Sequence, residues 1–144
     1  MAALRDPVPL VVAGPTGWGD VATGITGDVR FLGFVPSADL PALYAAAHVF
    51  AYPSEFEGFG LPVLEAMVQG TPVVTSAGTS TEEVAGGAAV LVDPFDVDAS
   101  AAGIEEARRR ADELAPAGRA RAAVMTWDAA AERTFAVYRE VAGG

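Results

Sequence analysis

The 144-residue chain has no cysteine and no lysine, and His48 is its single histidine. Without cysteine there is no disulfide framework, zinc–thiolate site, iron–sulfur cluster or cysteine nucleophile. No uninterrupted apolar run approaches the roughly 18–20 residues that span a bilayer, so no transmembrane segment is expected. Met1 to Pro9 carry Arg5, Asp6 and two prolines and do not read as a signal peptide. The expected compartment is the cytoplasm. Positive charge is scarce: the net charge is −10, and the first hundred residues hold only Arg5 and Arg30 against twelve acids. The last 44 residues are balanced, with seven arginines and seven acids. A nucleic-acid binder needs a basic footprint, and this chain has none.

What the chain does have is hydrophobicity, 51% of its residues, enough for a core and too much for a disordered tail. The length fits one domain, 1–144. Five short apolar runs lie at 9–13, 29–32, 49–52, 72–75 and 88–92, each bounded by glycine, proline or aspartate. Runs apolar on both faces are how strands of a parallel sheet covered on both sides read. Between them, Leu40, Leu43, Tyr44 and Ala47 repeat at helical spacing, with Asp39 as N-cap and Pro41 in the first turn. Pro62 to Gln69 reads as a two-turn helix closed by Gly70 at C′. This alternation predicts an α/β fold with a doubly wound parallel sheet. The last third is helical. Asp98 is placed to cap a helix to about Leu114, and Pro116 with Gly118 is expected to break it. Trp127, Ala131, Phe135, Tyr138 and Val141 then form an apolar stripe on a final helix. Arg108, Arg109 and Arg110 complement the dipole at the end of the preceding helix.

The chemistry concentrates in Tyr52-Pro53-Ser54-Glu55-Phe56-Glu57-Gly58-Phe59-Gly60-Leu61-Pro62-Val63-Leu64-Glu65. This stretch leaves a strand, turns through glycines and enters a helix. In an open α/β sheet, ligands bind at the carboxyl ends of the strands. A helix N-terminus reached through glycines offers free N–H groups and partial positive charge, which suits a phosphate. Gly58 and Gly60 let the backbone approach a ligand closely. Glu57 in the turn and Glu65 one turn into the helix can face one pocket, and carboxylates accept strongly from sugar and ribose hydroxyls. These residues call for a ligand with a phosphate and hydroxyls.

The same stretch, with Gly33-Phe34-Val35-Pro36, Tyr44 to His48, Gly70 to Val74, Glu83 to Gly86, Val92-Asp93-Pro94 and the Trp127-to-Tyr138 helix, resembles a known family. It is similar to the C-terminal, nucleotide-sugar-binding domain of GT-B-fold retaining glycosyltransferases of the family four type, from about residue 9 to 141. The resemblance implies a Rossmann-like domain that binds a nucleotide-diphosphate sugar for retaining transfer to an acceptor, with neither cofactor nor metal. It implies that Glu65 accepts from the ribose hydroxyls. Glu57 would bind the donor sugar and support charge at the reacting centre. The N–H groups of Gly58, Phe59, Gly60 and Leu61 would cradle sugar and diphosphate, and the Val35-Pro36 backbone would meet the nucleobase. Ser37 and Asp39 stand where guanine-selecting members often carry an acid, which leaves the base open. Gly14 to Trp18 would line the same cleft.

The resemblance further implies that a first strand and a basic pair for the diphosphate precede Pro9, with Met1 to Asp6 as the tail of the first helix. The domain is thus expected to be N-terminally incomplete, with an N-terminal domain as partner. In the order 3-2-1-4-5-6 the absent strand would lie between those at 9–13 and 49–52. The expected outcomes are low stability, direct pairing of those two strands, or a borrowed partner. Two functions stay open: a glycosyltransferase donor domain, or a non-catalytic remnant that keeps the fold. A glycosidase reading of the Glu57–Glu65 pair is not excluded by spacing. Asp96 and Asp98 have the spacing of a metal–diphosphate site, but they open a helix, and turn and N-cap duty is the expectation. His48, Trp18 and Trp127 are expected to be structural.

Overall fold

A computed structural model describes residues 8–14 and 27–143. The Pro15-to-Trp18 part of the cleft loop, Arg5 and the proposed helix tail at 1–6 lie outside them. The element order is β1 (Leu10–Ala13), β2 (Val29–Gly33), α1 (Leu40–Ala46), β3 (Phe50–Tyr52), α2 (Leu61–Gln69), β4 (Val73–Ser76), α3 (Ser80–Ala85), β5 (Val90–Val92), α4 (Val97–Arg109), α5 (Ala111–Ala123) and α6 (Trp127–Ala142). Every strand pair is parallel, as the apolar runs predict.

The sheet comes in two pieces, β1-β2 and β3-β4-β5. These are the two flanks of the order 3-2-1-4-5-6, and no described strand bridges β1 and β3. Of the three outcomes expected for those strands, direct pairing is not seen. Burial divides with the sheet. All four residues of β4 are buried, whereas Val11, Phe31 and Leu32 on β1 and β2 are exposed. Parallel strands are stable when both faces are covered; β4 meets that condition and the β1-β2 pair does not.

The core is built on α2. Val63, Leu64, Ala66 and Met67 are buried against Tyr44, Val73, Val84, Ala85 and Ala122. Helix α5 crosses behind, burying Leu114, Gly118 and Ala122 at four-residue spacing. A Cβ on Gly118 would sit 3.2 Å from Met67 Cγ, so the small residue allows close helix approach. Two arginines of α5 also serve the C-termini of other helices. Arg119 donates to the Gln69 carbonyl of α2 at 3.2 Å, and Arg121 to the Glu83 and Val84 carbonyls of α3 at 2.7 and 2.9 Å. Such ends carry unsatisfied acceptors and partial negative charge, which a guanidinium answers on both counts.

The helical third differs from the sequence reading in four ways. The side chain that caps α4 is Asp96, accepting from Ala99 N at 2.8 Å; Asp98 lies in the first turn instead. The break falls at Arg110, which pairs with Glu106 and Glu113 at 2.7 Å across it. Pro116 sits inside α5 rather than ending it. The carbonyl it leaves without a partner is that of exposed Asp112, where water can serve. The α6 stripe is periodic as expected, but Trp127, Phe135, Tyr138 and Val141 are exposed, so Trp127 does not pack. Asp39 takes the N-cap position of α1 without a side-chain bond, and Gly70 closes α2 with φ +76°.

Burial on α5 and exposure on α6 predict opposite costs. Leu114→Ala should lower unfolding free energy by about 2–5 kcal/mol. Phe135→Ala should change it by less than about 0.5 kcal/mol. Urea titration followed by circular dichroism measures both.

Candidate functional site

Strand β3 ends at Tyr52, and residues 53–60 carry the chain from its carboxyl end into α2. The loop is tied down at several points. Ser54 Oγ lies 3.1 Å from the Phe56 carbonyl and 3.1 Å from Glu57 Oε1, and Ser80 Oγ donates to the Glu57 carbonyl at 2.8 Å. Beneath it, Thr75 Oγ1 lies 3.0 Å from the Tyr52 carbonyl and 2.7 Å from buried Thr81 Oγ1. These hydroxyls join β3, β4 and the start of α3 under one turn.

Gly60 is the N-cap of α2 with φ +97°. A Cβ there would meet Thr81 Cγ2 at 2.8 Å. Backbone conformation and space both require glycine, and this is the one buried position of the turn. Gly58 is different: a Cβ there would meet nothing within 4 Å. The N–H groups of Gly58, Phe59, Gly60 and Leu61 make no hydrogen bond with the described residues. Pro62 follows with no N–H to offer. Four donors therefore line the entry to a nine-residue helix, as a phosphate cradle requires.

Glu57 precedes this entry and Glu65 follows it on the second turn of α2, and each is held by a tyrosine. Tyr52 Oη donates to Glu57 Oε1 at 2.5 Å, and Tyr44 Oη donates to Glu65 Oε2 at 3.0 Å. Among the described residues the other oxygen of each carboxylate accepts no hydrogen bond. Phe50 lies between the tyrosines, edge-on to Tyr44 at 5.1 Å and stacked on Tyr52 at 5.7 Å. Burial and then the Glu65 bond push the Tyr44 phenol above its ordinary value, and burial and Glu57 push Tyr52 up to about 12. No arginine pairs with either glutamate among the described residues.

The loop after β2 holds half-buried Val35 and exposed Pro36, also at a strand carboxyl end. No hydrogen bond joins that loop to Glu57 or Glu65. His48 is exposed between α1 and β3. No three His, Asp or Glu gather to hold a metal among the described residues, and Asp96 is engaged as a cap. No described helix is long and apolar enough to cross a membrane.

Two features escape the sequence reading. One is the tyrosine pair. Tyr44 is read there as a helix position and the start of a family segment, Tyr52 as the strand end that opens the turn, and neither as the partner of a glutamate. The other is a rim of exposed rings just beyond the strands: Phe34 after β2, Phe56 and Phe59 after β3, Phe95 after β5. Large apolar residues directly after apolar runs are the signal that could have found them.

The family model described as glycosyl transferases group 1 matches residues 3–120. The O-antigen chain mannosyltransferase B of Escherichia coli is 45% identical over 141 residues, 91% of this chain and 37% of that protein. The D-inositol 3-phosphate glycosyltransferase of Salinispora tropica is 41% identical over 158 residues, 96% of this chain and 32% of that protein. Among solved structures, Anabaena HepE in complex with UDP-glucose superposes with TM-score 0.71 at 25% identity, covering 85% of this chain and 37% of that one. The chain thus spans about a third of the length of these relatives.

The two glycines predict different costs. Gly60→Ala should destabilise by about 1–3 kcal/mol, the scale of a strained backbone. Gly58→Ala should stay within about 0.5 kcal/mol. Chemical denaturation of both variants checks the contrast.

The tyrosines set an alkaline limit. An unfolded tyrosine ionises near pH 10, whereas burial and Glu57 hold folded Tyr52 up to about 12, and burial and the Glu65 bond raise Tyr44 as well. The folded form binds more protons in that window, so stability is full below about pH 10 and falls as pH rises through the folded values. With no lysine in the chain, tyrosines carry most of that titration. The thermal midpoint should fall between about pH 10 and 12, and less steeply in Tyr52→Phe.

Proposed function

The chain belongs to the group 1 glycosyl transferases, and on that premise we propose that it binds a nucleotide-diphosphate sugar for retaining glycosyl transfer. The observation that carries this reading is the stretch from Glu57 to Glu65, in which four unbonded N–H groups lie in sequence between two carboxylates with one oxygen each unengaged among the described residues. The diphosphate takes the N–H groups of Gly58, Phe59, Gly60 and Leu61 at the helix start. Glu65 accepts from the ribose hydroxyls. Glu57, on the other side of the cradle, accepts from the donor sugar and supports charge at the anomeric carbon. Val35 and Pro36 offer backbone to the nucleobase. The HepE complex holds UDP-glucose on a fold of this kind, which supports the donor class. A glycosidase has no use for a phosphate cradle between its carboxylates.

Transfer also needs an acceptor held against the anomeric carbon and cationic compensation for the leaving diphosphate. The described residues bring no arginine to either glutamate, and the chain spans a third of its relatives. A second domain carrying acceptor and cations fits this, with the active site between the two. Metal independence is part of the proposal, because Asp96 is spent on capping. The shortage of cations at the turn also favours a second reading, a nucleotide-sugar-binding module without turnover.

Calorimetry of the chain with UDP-glucose and with GDP-mannose, each with and without EDTA, tests the reading. One donor should bind, and chelation should leave its affinity unchanged. Glu65→Ala should weaken it by about 1–3 kcal/mol, the scale of a charged hydrogen bond. Binding that needs magnesium or manganese would overturn metal independence. Unchanged affinity in Glu65→Ala would remove that residue from the site. Glycosyl transfer by the chain alone would overturn the need for a second domain.

A further inference from the structure

The two glutamates of the turn have little in common beyond spacing. Glu57 sits half-buried in an irregular loop, and Glu65 is exposed on the second turn of α2. A free glutamate samples several rotamers, and ordering one costs conformational entropy at each binding event. Here both have been ordered beforehand, in the same way. A phenol from the same aromatic cluster donates to one carboxylate oxygen and leaves the other unengaged. The cluster is itself rigid. Tyr44 is buried on α1, Phe50 and Tyr52 point to one face of β3, and ring contacts join all three. The Tyr52 carbonyl is in turn fixed by Thr75, and the Tyr44 carbonyl accepts from Thr71 Oγ1 at 2.7 Å.

We propose that Tyr44 and Tyr52 are positioning residues for donor binding, each orienting one carboxylate through its phenol, Tyr44 for the nucleotide through Glu65 and Tyr52 for the sugar through Glu57. The proposal rests on the assignment of those glutamates to the donor and adds to it a division of labour. Neither phenol reaches the ligand; each acts through the oxygen it leaves open. A hydroxyl that served only packing would leave no trace of its partner carboxylate. A hydroxyl that orients a carboxylate has no further effect once that carboxylate is gone.

The test is a set of binding measurements on the chain with four probes: UDP, UDP-glucose, GDP and GDP-mannose. The nucleotide of the tighter pair is carried forward. Tyr44→Phe should weaken nucleotide and nucleotide-sugar alike, by about three- to tenfold, the scale of one neutral hydrogen bond. Tyr52→Phe should weaken the nucleotide-sugar by a similar factor and leave the bare nucleotide unchanged. In Glu65→Ala and Glu57→Ala backgrounds, which remove the acceptor of each phenol, the matching Tyr→Phe change should have no further effect, while the crossed combinations stay additive. Thermal midpoints recorded in the same buffer separate loss of fold from loss of binding. If wild-type chain binds none of the four probes, the donor-site reading fails and this proposal falls with it. If wild-type binds but the Tyr→Phe effects are absent, or persist undiminished in the matching Glu→Ala background, the donor site stands and the positioning role is overturned.

Discussion

Helix α2 is fixed at both ends and along its inner face, and the site takes its geometry from that constraint. Val63, Ala66 and Met67 have no exposure at all. At one end Gly60 turns left-handed against Thr81, and at the other Gly70 turns left-handed under Arg119. A helix held this way cannot slide or rotate to meet a ligand. The height of Glu65 and the direction of the free N–H groups are therefore settled by packing far from solvent. Helix α5 supplies the rear wall, and Gly118 decides how closely that wall approaches.

The parts of this arrangement that depend on neighbours in sequence could be read from sequence. Apolar runs ended by glycine or proline gave the strands within a residue or two, and Pro62 with Gly70 bounded α2 almost as observed. The Glu57-to-Glu65 turn was legible because strand, glycines and helix follow one another directly. What depends on distant partners was not. Helix α3 is six residues of mostly polar sequence, held by Arg121 from 37 residues away, and its own pattern offers no apolar periodicity. The break between α4 and α5 falls where Arg110 finds acids on both sides, not at the proline that local propensity favours. Tyr44 and Tyr52 carry no spacing that links them to a glutamate 21 or five residues on; only the fold pairs them. For α6, periodicity shows which face is apolar and says nothing of what that face meets.

The electrostatics of the turn are those of donors without charge. An anion there would be met by backbone dipoles and a helix end, whose partial charge is about half an elementary unit. Among the described residues, four arginines are engaged elsewhere: Arg30 on Asp28, Arg110 across the helix break, Arg119 and Arg121 on carbonyls. Their work is structural, closing helix ends and joining elements. The unbonded N–H groups at the start of α2 therefore owe nothing to a basic field: whatever attraction they exert on an anion is local and directional.

The division of the sheet also bears on how the chain folds and opens. Strands β3, β4 and β5 are joined through short helices in successive βαβ steps, so their contacts close small loops and their formation is mutually reinforcing. The β1-β2 ladder stands apart from that sequence of closures, with exposed side chains on both strands. Among the described residues it shares few interactions through which the stability of the rest could be lent to it. The described residues thus form two cooperative units of unequal strength, and amide protons of Val11 to Ala13 should exchange by a local opening that leaves the core intact. The turn that carries Glu57 belongs to the stronger unit, and Val35 with Pro36 to the weaker one.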